Sequence, residues 1–257
     1  MSSQILRVMS YNIQVGISTK QPHHYLTHSW KHVLPHSQRM TNLDRVARLL
    51  SDFDMVGLQE VDAGSMRSNY INLAEYLALK GGFPYWYHQV NRNLGRIAKH
   101  SNGLLSRFQP VEIRDIPLPG LIPGRNAIMA RYGSNEASLA VFMLHLALSR
   151  RARLRQLAMI SELINEHQHV ILMGDMNCRA GSPEMNLLFQ RTCLREPLEE
   201  TLTFPSWRPQ HHIDHILVTP ELEVLKVEAL HHAYSDHLPI IMELLVPDSI
   251  ELLRLAA

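Results

Sequence analysis

A set of oxygen-bearing side chains stands out by where it falls: Asn12, Glu60, Asp175, Asn177, Asp214 and Asp236 each lie at the end of, or just within, an otherwise apolar strand-like segment. Singly, each has an ordinary explanation. Asp175 and Asn177 are common turn residues, Asn12 suits a turn cap, and Asp214 suits a hydrogen-bonded buried acid. Jointly they would crowd negative charge into a poorly hydrated rim and raise one another's pKa values, so the group calls for a cation or for arginine and histidine partners. Carboxylate and carboxamide oxygens are the donors that magnesium or manganese accepts, with water and substrate phosphate completing the shell. Zinc prefers nitrogen and sulfur. The pairs His23-His24, His211-His212 and His231-His232 lack the separated spacing of a structural zinc site and read as loop or surface histidines.

Two other histidines are placed differently. His237 follows Asp236 in Tyr234-Ser-Asp-His-Leu-Pro239, and His145 sits in the apolar run Val141-Phe-Met-Leu-His-Leu146. A histidine on such a run is commonly a hydrogen-bonded core residue. Imidazole also suits the needs of phosphoester hydrolysis, as a proton donor near neutrality or, protonated, as a partner for negative oxygens.

The elements that must position these groups follow from periodicity. Short alternating apolar runs predict strands at Leu6–Ile13, Met55–Val61, Tyr85–Val90, Gly103–Ser106, Val111–Ile116, Ala127–Tyr132, Ser138–Leu146, Val170–Met173, Ile213–Val218, Leu222–Leu230 and Leu238–Leu245. Helical spacing predicts helices at Gln38–Leu50, Tyr70–Leu79 and Arg150–Asn165, the last capped by Ser149. Gln14–Ser37 reads as a long polar, histidine-rich loop whose Tyr25 and Trp30 suit either a substrate wall or plain solvent exposure. The tail Asp248–Ala257 reads as a short helix or a frayed end. Strands in both halves, each half with its own helices, predict two sheets stacked face to face and covered outside by helices.

Composition bounds the rest. The 257 residues, 46% hydrophobic, support a sizeable core in one domain spanning 1–257, and exclude a disordered, collagenous or disulfide-stapled chain. Lys and Arg number 25 against 24 Asp and Glu, so any phosphate recognition is local rather than spread over a basic face. Two cysteines and no leader-like start suggest a cytoplasmic protein. The longest nearly apolar run, Leu139–Leu148, is about half of what a bilayer crossing requires, so no transmembrane segment is expected. Peripheral contact with membrane lipid needs no such segment.

The motif order Ser10-Tyr-Asn-Ile, Leu58-Gln-Glu-Val, Asn102-Gly-Leu-Leu-Ser-Arg107, Met143-Leu-His-Leu, Met173-Gly-Asp-Met-Asn177, Ile213-Asp-His-Ile-Leu and Ser235-Asp-His-Leu-Pro239 resembles the endonuclease/exonuclease/phosphatase superfamily over residues 6 to 245. The resemblance implies a four-layered α/β sandwich, two mixed sheets flanked by helices, that hydrolyses a phosphoester with a divalent metal, Mg2+ or Mn2+. It implies Glu60, Asn12 and Asp236 as metal contacts. Asp175 would orient or deprotonate the attacking water, and Asn177 would hold phosphate or water. Asp214 would orient His237, which stabilises the transition state or protonates the leaving oxygen, and His145 would touch the phosphate.

Substrate choice is less legible. Arg107 and Arg125, at strand ends, are the arginines best placed to reach a phosphate. Arg150, Arg151, Arg153 and Arg155 open the helix after His145, where a solvated helix face explains them more simply than phosphate contact. The pattern around Thr203-Phe-Pro-Ser-Trp-Arg-Pro209 resembles the bacterial branch of the superfamily. Near-neutral charge favours a small or lipid-linked phosphodiester or phosphomonoester. A nucleic acid, cleaved by a DNA or RNA nuclease of the same superfamily, is the alternative, and an idle scaffold that has kept the fold is disfavoured because every catalytic position is filled.

Overall fold

The computed structural model describes residues 4–17, 19, 21, 37–120, 124–134, 136–197 and 201–254. Along the chain run β1 (Gln4–Asn12), α1 (Ser37–Leu50), β2 (Met55–Asp62), α2 (Leu73–Gly81), β3 (Tyr85–Asn93), β4 (Lys99–Ser106), β5 (Glu112–Pro117), β6 (Asn126–Gly133), β7 (Ser138–His145), α3 (Arg150–Ile164), β8 (His169–Asp175), α4 (Pro183–Arg191), β9 (Asp214–Val218), β10 (Glu223–Ala229) and β11 (Ile240–Val246). The strands form a six-stranded sheet ordered β10-β11-β1-β2-β4-β3 and a five-stranded sheet ordered β5-β6-β7-β8-β9. Each contains one parallel pair, β1 with β2 and β7 with β8, among antiparallel neighbours.

Alternation decides which face each strand buries. Leu6 and Val8 of β1 join Val141 and Met143 of β7 and Ile171 and Met173 of β8 in the core between the sheets. The intervening Met9 and Tyr11 face outward, into a second core with Leu43 and Val46 of α1 and Leu77 of α2. On the far side, Phe142 and Leu172 meet Leu157 and Ile160 of α3 and Leu188 of α4. The layers are helix, sheet, sheet, helix, the four-layered α/β sandwich expected. The sheets approach so closely at Gly57 that a Cβ there would lie 2.7 Å from the Met143 side chain.

The predicted helices and strands are present with ends moved by a few residues, and Ser149 caps α3 by accepting a hydrogen bond from the Ala152 N–H. Helix α4 lies outside the elements that the hydrophobic period predicts. Its signal is local, however: Ser182 accepts from the Met185 N–H as N-cap, and Pro183 occupies the first turn, where a missing N–H costs nothing. The tail up to Arg254 is neither helix nor frayed end. Ile250 and Leu252 are buried in the inter-sheet core, and the Arg254 guanidinium binds Asp54 at 2.6 Å. Of the segment read as a histidine-rich loop, Gln14–Gly16 form a short turn of 3-10 helix, whereas Tyr25 and Trp30 lie outside the described residues. No described helix is long and apolar enough to cross a membrane.

Candidate active site

The same alternation that buries the inter-sheet core carries polar groups to one rim of it. Leu6 and Val8 are followed on their face by Asn12 at the end of β1, Val141 and Met143 by His145, and Ile171 and Met173 by Asp175. Asp214 opens β9 on the face of Ile216 and Val218. In register, His145 is paired with Asp175 and Asp175 with Asp214, so these three stand in one row across the second sheet. Gly174 makes that row possible, because with φ at +146° a Cβ there would fall 1.9 Å from the Leu144 carbonyl oxygen.

Glu60 reaches the rim by a different device. Its neighbours Val56 and Leu58 face the outer core, and unbroken alternation would send Glu60 there too. A bulge between Leu58 and Val61, with Glu60 at φ +54°, breaks the period and turns the side chain toward the rim. A non-glycine residue in this left-handed region is costly and persists only where the surroundings enforce it. Just beyond, Asp62 accepts hydrogen bonds from the Ser65 N–H (2.7 Å) and hydroxyl (2.8 Å), the Ser68 hydroxyl (2.8 Å) and the Arg67 Nε, which fixes the chain after the bulge.

The rim groups bind one another. Asn12 donates from Nδ2 to Glu60 Oε1 and to Asp175 Oδ2, both at 3.2 Å, while its Oδ1 accepts from the Gln14 N–H. Gln14 donates to Asp236 Oδ2 at 3.0 Å and accepts from Thr19. Asp175 Oδ1 accepts from the Asn177 N–H, and its Oδ2 lies 3.4 Å from His145 Nε2 and 3.9 Å from His237 Nε2. Asn177, itself at φ +50°, donates to the Leu146 carbonyl. His237 Nδ1 lies 2.8 Å from Asp214 Oδ2, which also accepts from Thr203 Oγ1 at 2.5 Å, and Phe204 closes over the imidazole with ring centroids 4.8 Å apart.

Burial and mutual repulsion set the charges. Burial raises the Glu60 pKa and Asp236 raises it further, against the lowering effect of Asn12, His237 and Arg125. Asp175 is pushed up to about 7, first by burial and then by the charge of Asp214. Burial works against the charged form of His237, but Asp214, Asp175 and Asp236 outweigh it and hold it up at about 10. His145 is driven well below its ordinary range by burial, then by Arg125 and His237, and is neutral. The rim thus holds an acid near neutrality, a charged imidazole and a neutral one.

Of the arginines singled out from sequence, Arg125 is brought to the rim, where its charge acts on Glu60 and Asp175. Arg107 is not. It follows the end of β4, which runs antiparallel to β2 and pairs Ser106 with Met55, at the edge opposite Glu60. There its guanidinium donates to the carbonyls of Ser51, Phe53, Gly81 and Gly82 and covers the Phe83 ring. The expectation that Arg107 reaches substrate is therefore corrected: it is a structural clamp.

Sequence reasoning passed over Gln14, which ties Asp236 to β1, and Thr203, which ties down Asp214. Thr203 opens the segment Thr203–Pro209, which carries the resemblance to the bacterial branch but gives no sign of the contact to Asp214. Among the described residues, two groups of metal-ligand type are drawn tight enough for their donor atoms to lie within 4.8 Å of one another, Asp175 with Asp214 and His237, and Glu196 with His212 and His215. In the second, His215 spends Nδ1 on Glu196 (2.6 Å) and Nε2 on the Cys178 carbonyl (3.0 Å), so it braces the turn that follows Asp175.

A stacked-sheet α/β sandwich with carboxylates, carboxamides and paired imidazoles converging on one rim defines a class of hydrolytic enzyme. The model of the Endonuclease/Exonuclease/phosphatase family matches residues 9–237, and the chain belongs to that family. It is an enzyme of phosphoester hydrolysis, and the family depends on a divalent metal. No curated protein sequence matches the chain. Among solved structures, an endonuclease/exonuclease/phosphatase family protein from Bacteroides thetaiotaomicron is similar at TM-score 0.73 and 17% identity, covering 96% of this chain and 100% of its own. A mannosyl-6-phosphatase from the same species is similar at 0.70 and 18%, covering 94% and 100%. The human nocturnin catalytic domain is similar at 0.69 and 19%, covering 93% of each. At such identities these likenesses concern the fold.

Proposed function

We propose that the chain is a Mg2+- or Mn2+-dependent hydrolase of a small or lipid-linked phosphodiester or phosphomonoester, with its site at the Asn12–Glu60–Asp175–His237 rim. The observation that carries this reading is the placement of Asp175 within reach of Asn12, His145 and His237 at once. Folds like this one carry a sugar phosphatase and nocturnin, so the fold does not choose the substrate.

The donor set fits a hard divalent cation. Glu60 and Asp236 offer carboxylate oxygen rather than nitrogen or sulfur, Asn12 would add the remaining lone pair of the Oδ1 that accepts from the Gln14 N–H, and the repulsion between Glu60 and Asp236 is what a bound cation would relieve. Those three residues would hold the ion, which when bound withdraws charge from a phosphoryl oxygen.

Asp175 orients the attacking water and takes its proton, a role suited to a carboxylate whose pKa lies near the working pH. The Asn177 N–H fixes one carboxylate oxygen and Asn12 the other, so the base does not turn away from the water. His237, charged and anchored by Asp214, faces the phosphoryl oxygens as a fixed cation and offsets the negative charge that builds in the transition state. His145, being neutral, contributes a hydrogen bond rather than charge, and Arg125 supplies a guanidinium on the same side as Glu60.

The test is turnover of bis-p-nitrophenyl phosphate and p-nitrophenyl phosphate with magnesium, with manganese and with chelator. Asp175→Ala and His237→Ala are each expected to lower kcat at least about a hundredfold while retaining the wild-type fold by circular dichroism. Chelator-insensitive turnover, or a folded variant with near-normal rate, would overturn the reading.

A further inference from the structure

A cavity of about 790 Å3 opens beside Glu60 and His145, and its wall beyond Arg125 carries Arg92 of β3 together with Arg151 and Arg155 of α3. Arg151 and Arg155 are four residues apart and so lie on one helix face. Glu60, at the catalytic end, is the one acidic residue among the described residues lining the cavity. The other arginines that begin α3 are accounted for: Arg153 donates to Glu184 at 2.7 Å, and Arg150 lies 3.8 Å from the same carboxylate. Among the described residues, Arg92, Arg151 and Arg155 have no hydrogen-bond or ion-pair partner.

All three are solvent-exposed, and Arg151 and Arg155 stand in the opening turns of α3. The N-terminal end of a helix carries partial positive charge and favours anions, yet the first turn of α3 has no acidic residue and adds cations. The positive field is felt by neighbours as well: His100, on the same wall, is driven down to about 4 by burial first and then by Arg67, with Arg92 and Arg125 adding to it. The same cavity is also lined by the apolar Ala147, Leu148 and Ala152. A cavity of this volume matches a small organic ligand.

We propose that this cavity receives a substrate carrying a second phosphate group, on a small organic scaffold, in addition to the phosphoester that is cleaved. Resting on the hydrolase reading above, the assignment places the reacting phosphate at Asp175, His145 and Arg125, the scaffold against Ala147 and Leu148, and the second phosphate on Arg92, Arg151 and Arg155. Guanidinium groups bind phosphate through paired, charge-assisted hydrogen bonds, which reward a dianion over a neutral hydroxyl at the same position. The grouping of Arg92, Arg151 and Arg155 at one cavity, in a chain of net charge +1, favours a compact bisphosphate over a nucleic-acid strand, which needs a long basic track.

The experiment measures equilibrium binding by calorimetry, in chelator, of glucose 1,6-bisphosphate, glucose 6-phosphate and a short oligothymidylate to the full chain and to two variants. Wild type is expected to bind the bisphosphate at least about tenfold tighter than the monophosphate. Arg151→Ala/Arg155→Ala should collapse that ratio toward one and melt no lower than wild type, because the arginines have no partner to lose. Arg150→Ala, which removes one positive charge from the same end of α3, should keep the ratio. Equal binding of the two sugars by wild type, an unchanged ratio in the double variant, or an oligothymidylate that binds tighter than the bisphosphate would overturn the proposal. Because binding is read without turnover, failure here is separable from failure of chelator-sensitive hydrolysis, which would overturn the hydrolase reading instead.

Discussion

Asp214→Asn isolates how the rim holds its charged imidazole. Asp214 Oδ2 accepts from both His237 Nδ1 (2.8 Å) and Thr203 Oγ1 (2.5 Å), while its buried Oδ1 has no hydrogen-bond partner. An asparagine whose oxygen replaces Oδ2 keeps both donors but buries an NH2 with no acceptor, at a cost of about 1–3 kcal/mol. The opposite rotamer aims that NH2 at two donors and breaks both bonds. Either way His237 loses its bonded counter-ion, and alignment of a catalytic imidazole by a carboxylate is worth roughly 10²–10⁴ in rate, or about 3–5 kcal/mol of barrier. The expected result is a fall of that size in kcat for bis-p-nitrophenyl phosphate. KM should change little, because Asp214 acts through His237 and does not touch substrate. Melting should show modest destabilisation with the fold retained. Thr203→Val is the internal control: it removes one donor from Oδ2, leaves the His237 bond, and should lower kcat by about tenfold or less. A folded Asp214→Asn protein with more than about a third of wild-type kcat, or a Thr203→Val protein as impaired as Asp214→Asn, would refute the reasoning.

Asp62→Asn strips the counter-charge from Arg67, whose side chain is 2% exposed, and should destabilise by roughly 3–5 kcal/mol. Thermal unfolding would register this as about 2–4 °C per kcal/mol for a domain of this size, and an unchanged melting point would show the ion pair to be dispensable. For His212, burial and His215 hold the folded value at about 4, against 6.5 for the free side chain. As pH falls from 6.5 toward 4 the unfolded chain therefore binds a proton that the folded chain refuses, so stability is full above this window and lost through it, by up to about 3 kcal/mol. The raised Asp175 works in the opposite direction between pH 4 and 7, so the comparison to make is between wild type and His212→Asn. The variant's stability should fall less steeply over pH 6.5 to 4, and parallel curves would contradict the assignment.

Part of the site is readable from residue order because period two continues past the core. A strand that buries Ile171 and Met173 must present Asp175 on the same face, and one that buries Val141 and Met143 must present His145. The same continuity brings Asn12 and Asp214 to the rim, and the motif order adds the family. Glu60 escapes that logic, since a bulge and a left-handed backbone reverse the face that alternation assigns it. Helix α4, whose Glu184 takes two of the arginines of α3, carries its start signal in Ser182-Pro183 but lies in a stretch to which the hydrophobic period assigns no element.

Residue types and their spacing already dictate the two-sheet sandwich, the polar groups at strand ends and the kind of chemistry they suit, because hydrophobic period and donor type are local properties. Tertiary structure alone decided which strand end faces which rim. Arg107 and Arg125 look equivalent in sequence, yet Arg107 trails the end of a strand that runs against β2, whereas Arg125 precedes β6, whose Ala127 pairs with Leu144 beside His145. It also decided how the arginines of α3 divide between Glu184 and the cavity, because that depends on the rotation of the helix against its neighbour, a matter of packing between segments distant in the chain.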